Sequence, residues 1–243
     1  MFQVPWGSYV PELALALLTT LEYAIVSFVG AVVVGLAVAL MRLARPRAVQ
    51  VVASVYTELF KNVPLLAIIF VTYFGLSSVG VLLTVFQAGC LSLIVFYAAY
   101  LSEIFRAAIS GVHHGQQEAA EALGMGKVAT FLHVVMPQAL RLALPGTNTM
   151  AVDLLKSTSL LVTISAAELM SEGRLITSAT FRALEVYFVI ALIYFALCYP
   201  LSQGLLWLER RVRAGVPLTP RRRRRLALAR QLLAEHGLQG VRA

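Results

Sequence analysis

Between Asn62 and Ser102 the chain runs 41 residues without an Asp, Glu, Lys or Arg. About a quarter of the residues in a soluble domain are charged, so a run of this length belongs in lipid or deep inside an assembly. A bilayer core is crossed by ~20 apolar residues in a helix. The run is too long for one crossing and fits two, with Gly75-Leu76-Ser77-Ser78-Val79-Gly80 as the turn between them. The rest of the chain agrees: 59% of its residues are hydrophobic, 13% are charged and the mean hydropathy is +0.81. These values exclude a soluble enzyme, a disordered chain and a basic nucleic-acid-binding domain as the main identity.

The pattern predicts an all-α membrane protein with about five transmembrane helices, near residues 14–41, 55–75, 81–104, 144–169 and 186–208. Together they form a transmembrane domain over residues 1–211, followed by a basic tail over 212–243. Tyr23–Met41 and Val186–Leu208 are free of charge. The 144–169 stretch carries Asn148, Asp153 and Lys156. An ionisable residue at membrane depth costs about 2.5–3.5 kcal/mol on insertion scales, so this helix is expected to face a bundle interior or a water-filled path. The first basic residue is Arg42, so the opening apolar stretch lacks the positive start of a signal peptide and reads as a retained span.

The loops set the expected orientation. One side collects Arg42, Arg45, Arg47, Lys61, Arg106, Lys127, Arg141 and the tail, and the other holds Arg174 and Arg182. The positive-inside rule then puts the N-terminus outside and the C-terminus in the cytoplasm. From Glu209 to Ala243 there are ten Lys/Arg and two Asp/Glu, so the tail carries the whole net charge of +8. Its Arg221–Arg225 run is expected to contact a membrane or partner surface rather than nucleic acid. Cys90 and Cys198 both lie in apolar stretches and suggest no disulfide framework.

The cytoplasmic connection, residues 107–143, is the most informative stretch. Gln116–Leu123 reads as a short helix stopped by Gly124. Ala119, Ala122 and Leu123 fall at helical spacing and make a small apolar face beside Glu118 and Glu121. Alone, such a stub is too short to be stable. It suits a groove on another protein, or the membrane surface. Gly126-Lys127 looks like the end of a phosphate-binding loop, but position 121 is Glu where Gly is needed and Val128 replaces Ser/Thr. No nucleophile–base pair or metal-ligand cluster stands out. The pairs Glu58–Lys61, Glu103–Arg106 and Asp153–Lys156 are each spaced to meet on one helix face.

The wording of the connection resembles the cytoplasmic EAA loop of ABC-importer permease subunits. Glu118-Ala119-Ala120, then Gly124, then Pro137-Gln138-Ala139-Leu140-Arg141 and Leu144-Pro145 match in order and spacing. Tyr56–Leu66, Tyr73-Phe74-Gly75-Leu76, Ala99–Arg106 and Leu154–Leu160 are similar to the polar amino-acid branch, the histidine/glutamine-type permeases. The resemblance covers about residues 1–211. It implies the type I importer (MetI-like) permease fold in a bacterial cytoplasmic (inner) membrane, within an assembly of a second permease copy or sister permease, two ATP-binding subunits and an extracytoplasmic solute-binding protein. The chain itself would be no enzyme and hold no cofactor, since ATP-Mg would be bound by the partner ATPase. Glu118, Ala119, Ala120, Leu123, Gly124 and Arg141 would couple to that ATPase, with Glu118 meeting a basic or polar group. Asn148, Asp153, Lys156, Ser157, Thr158 and Ser159 are the candidate path residues, for polar amino acids or a related small zwitterion such as ectoine or an opine. Two departures stand out: His113-His114 replaces the usual basic residue before Gly115-Gln116, and Ser157 stands where the family often has an acidic, small or amide residue. The rival reading is an ion-coupled carrier working alone, with Glu22, Asp153 and Lys156 as its coupling groups.

Overall fold

The computed structural model describes residues 4–214, so the Arg221–Arg225 run and nearly all of the expected tail lie outside the described residues. Among the described residues every regular element is helical. Residues up to Leu206 pack as one unit, and the packing below refers to it.

Helix α1, Trp6–Leu43, ends where Ala44 turns extended two residues before Pro46. Helix α2, Arg47–Asn62, stops at Val63, which is held extended by the following Pro64. Helices α3, Leu65–Phe70, and α4, Leu76–Ser78, follow, joined by a π-turn over Val71–Gly75. Residues 47–62 and 65–78 are bent by 107° at the proline. The stretch read from sequence as one span at 55–75 is therefore two differently directed helices, because Pro64 offers no N–H to continue the first. Gly80, at φ 89°, turns the chain after α4; of the expected Gly75–Gly80 turn, Gly75–Ser78 is helical and only its last two residues turn.

Helix α5, Val85–Ser110, starts at a capping box in which Thr84 and Gln87 satisfy each other's backbone N–H. It is the most buried of the long apolar helices and packs mainly on α1. Small residues set that seam. Ala31, Ala39, Ala98 and Ala99 are fully buried, and a Cβ on Gly35 would fall 2.9 Å from Leu101 Cβ and 3.0 Å from the Ala98 carbonyl. Inside a membrane such close approach replaces hydrophobic segregation as the source of helix association.

Helix α6, His114–Ala122, lies in the connection. Helix α7, Lys127–Thr130, a π-turn over Phe131–Val135, helix α8, Met136–Ser157, and a 3-10 turn over Thr158–Ile164 then form one run of apolar helix. This run begins inside the expected loop 107–143, because Val135, Ala139 and Ala143 recur every fourth residue and all bury against the core. Helix α9, Leu169–Thr180, and helix α10, Ala183–Ala214, complete the described chain. Of the long apolar helices α10 is the least buried within this chain. Among the described residues, four helices are long and apolar enough to cross a membrane, or five if the bent α2–α4 segment counts as one span.

Candidate functional site

Helix α6 is built to present one face outward. His113 Nδ1 accepts from the Gly115 N–H at 3.1 Å and caps its start. The His113-His114 departure thus supplies a helix cap. At the other end Gly124 sits at φ 81°. Its N–H donates to the Glu121 carbonyl at 2.9 Å, and the Met125 N–H donates to the Ala120 carbonyl at 3.1 Å. These two bonds form a Schellman stop, which needs a left-handed residue and therefore favours glycine.

Between the caps the residues sort by face. Ala120 is 5% exposed and packs inward, whereas Glu118, Ala119, Glu121 and Ala122 point away. Leu123 is 84% exposed, an apolar side chain with no cover among the described residues. The predicted apolar face of Ala119, Ala122 and Leu123 is thus open, flanked by two carboxylates. Arg141 is exposed on α8, after the turn that leads out of α6.

The candidate path residues occupy the end of α8. Asp153 does not pair with Lys156; its Oδ2 accepts from the Tyr97 hydroxyl at 2.8 Å, and that hydroxyl lies 2.7 Å from Ser157 Oγ. Tyr97 is 1% exposed on α5 and holds the two α8 side chains in register. Lys156 and Ser159 line a cavity of about 310 Å³ with Met170, Tyr187, Ile190 and Tyr194. Asp153 and Lys156 are both exposed at the surface of the single chain. Thr158 is fully buried with its hydroxyl donating to the Leu155 carbonyl at 2.7 Å. Asn148 donates to the Leu205 carbonyl at 3.2 Å and ties α8 to α10.

Three features are not expected from the sequence. Tyr97 is one. The second is Glu168, which is fully buried. Its carboxylate accepts from the N–H groups of Met170 and Ser171, both at 2.8 Å, from Ser171 Oγ at 3.1 Å and from the Tyr194 hydroxyl at 2.9 Å. Four donors and the N-terminus of α9 hold this anion in place. The third is the loss of the predicted Glu58–Lys61 pair, while Glu103–Arg106 forms as spaced. Lys61 turns from Glu58 to Glu103 at 2.6 Å, which Arg106 also reaches at 3.2 Å. Glu58 instead accepts from Asn62 at 3.3 Å. The spacing rule for a single helix loses here to a partner on a neighbouring helix.

Residues 31–214 match the family model described as the binding-protein-dependent transport system inner membrane component. The chain belongs to that family. It is a multi-pass membrane protein and the permease subunit of an ABC importer. It is 37% identical over 193 residues to a probable glutamine ABC transporter permease protein of Bacillus subtilis, a match that covers 79% of this chain and 89% of the relative. It is 36% identical over 220 residues, 85% of this chain and 91% of the relative, to the nopaline transport system permease protein of Agrobacterium fabrum. Among solved structures, an amino acid ABC transporter crystallised with histidines matches at TM-score 0.81 and 33% identity, covering 87% of this chain and 99% of that one. The methionine transporter MetNI shares the fold at TM-score 0.73 and 20% identity, with the same coverage. The ion-coupled carrier gains no support from these matches.

Proposed function

We propose that this permease, with a second copy or a sister subunit, forms the path of an ATP-driven importer for polar amino acids or a related small zwitterion in a bacterial inner membrane. Energy comes from two separate ATP-binding subunits, which bind ATP-Mg, and solute comes from an extracytoplasmic binding protein. This chain has no nucleotide site of its own. The observation that carries the reading is the outward face of α6: Glu118, Ala119, Ala122 and Leu123 are left open between two well-formed caps on the connection between membrane helices. An apolar side chain as exposed as Leu123 gains its stability from a partner groove. Glu118 supplies the charge that selects a basic or polar group there, Gly124 turns the chain out of the groove, and Ala120 supports the helix from behind. Arg141 adds a cation on the adjoining stretch of α8.

The solute class follows from the relatives' substrates and from the α8 end. Lys156 can meet a carboxylate and Asp153 an ammonium, with Ser157 and Ser159 as hydroxyl partners. Asn148 and Thr158 act in this conformation through helix packing, and they join the path only if α8 shifts. The test is transport into proteoliposomes by the purified complex with its binding protein. Uptake of a polar amino acid that needs ATP and ignores ion gradients is the expected result. Uptake by this chain alone, driven by a proton or sodium gradient, would overturn the reading.

A further inference from the structure

Where α1, α2 and α5 converge, three cations surround a single carboxylate. Glu103 receives Lys61 Nζ at 2.6 Å and Arg106 Nη2 at 3.2 Å, and Arg42 Nη1 stands 3.9 Å away. The other carboxylate on this part of α2, Glu58, is turned to Asn62 and adds no neutralising bond. The Tyr100 hydroxyl donates to the Lys61 carbonyl at 3.2 Å and holds the end of α2 against α5. Three positive charges thus face one negative charge. Moreover, Arg42 Nη1 and Arg106 Nε are buried and have no hydrogen-bond partner among the described residues. The Arg42 side chain is only 12% exposed, whereas Lys61, Glu103 and Arg106 remain about one-third open. Buried donors of this kind are rare in folded proteins, and an anion is a partner that satisfies them.

We propose that this cluster binds a phosphate group, presented by an anionic phospholipid of the cytoplasmic leaflet. Excess positive charge and unpaired guanidinium donors are what a phosphate matches, through charge-assisted bonds in fixed geometry. The cluster lies at the ends of membrane helices, on the side where the basic loops gather. Leu40, Met41 and Leu43 at the end of α1 are exposed and offer apolar surface to acyl chains. A basic pocket between membrane helices on that side suits a lipid headgroup. The proposal does not depend on the solute or on the ATPase contact.

The full-length chain in its complex, stripped of lipid in detergent, is titrated calorimetrically with short-chain phosphatidylglycerol, short-chain phosphatidylcholine and inorganic phosphate. Phosphatidylglycerol should bind at one site per chain and more tightly than phosphatidylcholine. Arg42→Gln and Lys61→Gln should each weaken it about tenfold or more, as expected for loss of a bond to a charged group. Glu103→Gln, which removes the internal competitor, should bind at least as tightly as wild type. A purely structural salt-bridge hub predicts the opposite, loss of binding together with assembly. Should Arg42→Gln fail to assemble, the more exposed Lys61 variant gives the answer. Inorganic phosphate that binds with the same variant pattern while the lipid does not would overturn the lipid as source. Equal phosphatidylglycerol binding by wild type and both cation variants would overturn the site.

Discussion

The Glu168–Tyr194 contact makes a quantitative prediction. The buried carboxylate has four donors, and Tyr194 supplies one of them across from α10. A hydrogen bond to a charged group contributes about 1.5–3 kcal/mol. Tyr194→Phe removes one bond and leaves three, so its cost should fall near the lower end, about 1–2 kcal/mol. Glu168→Leu strands two backbone N–H groups and two hydroxyls at once. At about 1–3 kcal/mol for each stranded group, less the relief of burying no charge, the loss should exceed about 3 kcal/mol. In that background Tyr194→Phe removes one of the stranded donors and should restore stability rather than lower it further. The assay is reversible unfolding in mixed detergent micelles for wild type, both single variants and the double variant. A coupling energy of about 1–2 kcal/mol supports the network. Strictly additive effects would refute the claim that Glu168 and Tyr194 act as one unit.

Other predictions follow from the same physics. Burial first, and the Glu12 carboxylate second, push the Glu172 carboxyl above its ordinary value of 4.5. The folded state then holds its proton more tightly than the unfolded chain, so stability declines as pH rises from 4.5 through the raised value. Thermal melting across that range should flatten in Glu172→Gln, and an unchanged pH slope would count against the shift. At Gly35 a side chain meets backbone of α5, so Gly35→Val should cost about 1–3 kcal/mol by overpacking. Gly204→Ala meets nothing within 4 Å and should be neutral or stabilising by up to about 1 kcal/mol, measured by the same unfolding. Gly124→Val forces a β-branched residue to φ 81° and should cost about 1–2 kcal/mol locally. Its readout is loss of ATP-coupled uptake with little change in the amount of folded permease.

Much of the fold can be read from the chain because membrane burial leaves a coarse signal. Uncharged runs of span length locate α1, α5 and α10 without knowledge of any contact. The α6 stop at Gly124 is equally legible, since a glycine at C′ has a single physical meaning. The bend between α2 and α3 is less legible: Val63-Pro64 sits inside an apolar stretch, and hydropathy does not register direction. The long α7–α8 run escapes for the opposite reason, since its polar residues look like loop while Val135, Ala139 and Ala143 keep helical spacing. Contacts between distant segments are the least legible. Lys61 choosing Glu103 over Glu58, Tyr97 bridging Asp153 and Ser157, and Glu168 disappearing beneath Tyr194 all depend on which helices lie side by side. A same-helix spacing rule predicts only the local alternative, and of the pairs Glu58–Lys61, Glu103–Arg106 and Asp153–Lys156 it holds for Glu103–Arg106 alone. For Glu168 the one local cue is an acid placed just before the helical pattern of Leu169–Thr180, which marks a helix cap but says nothing of burial.

The central claim is that the open face of α6 docks a separate ATPase. The direct measurement is purification of the tagged permease in mild detergent, wild type beside Glu118→Arg, with copurifying chains identified by mass spectrometry. An ATP-binding subunit retained by wild type and depleted at least about tenfold by the charge reversal is the predicted result, given the several kcal/mol that a reversed interfacial charge costs. A folded permease that retains the same ATPase equally in both samples would contradict the docking role of Glu118, and one that retains none in either would contradict the account.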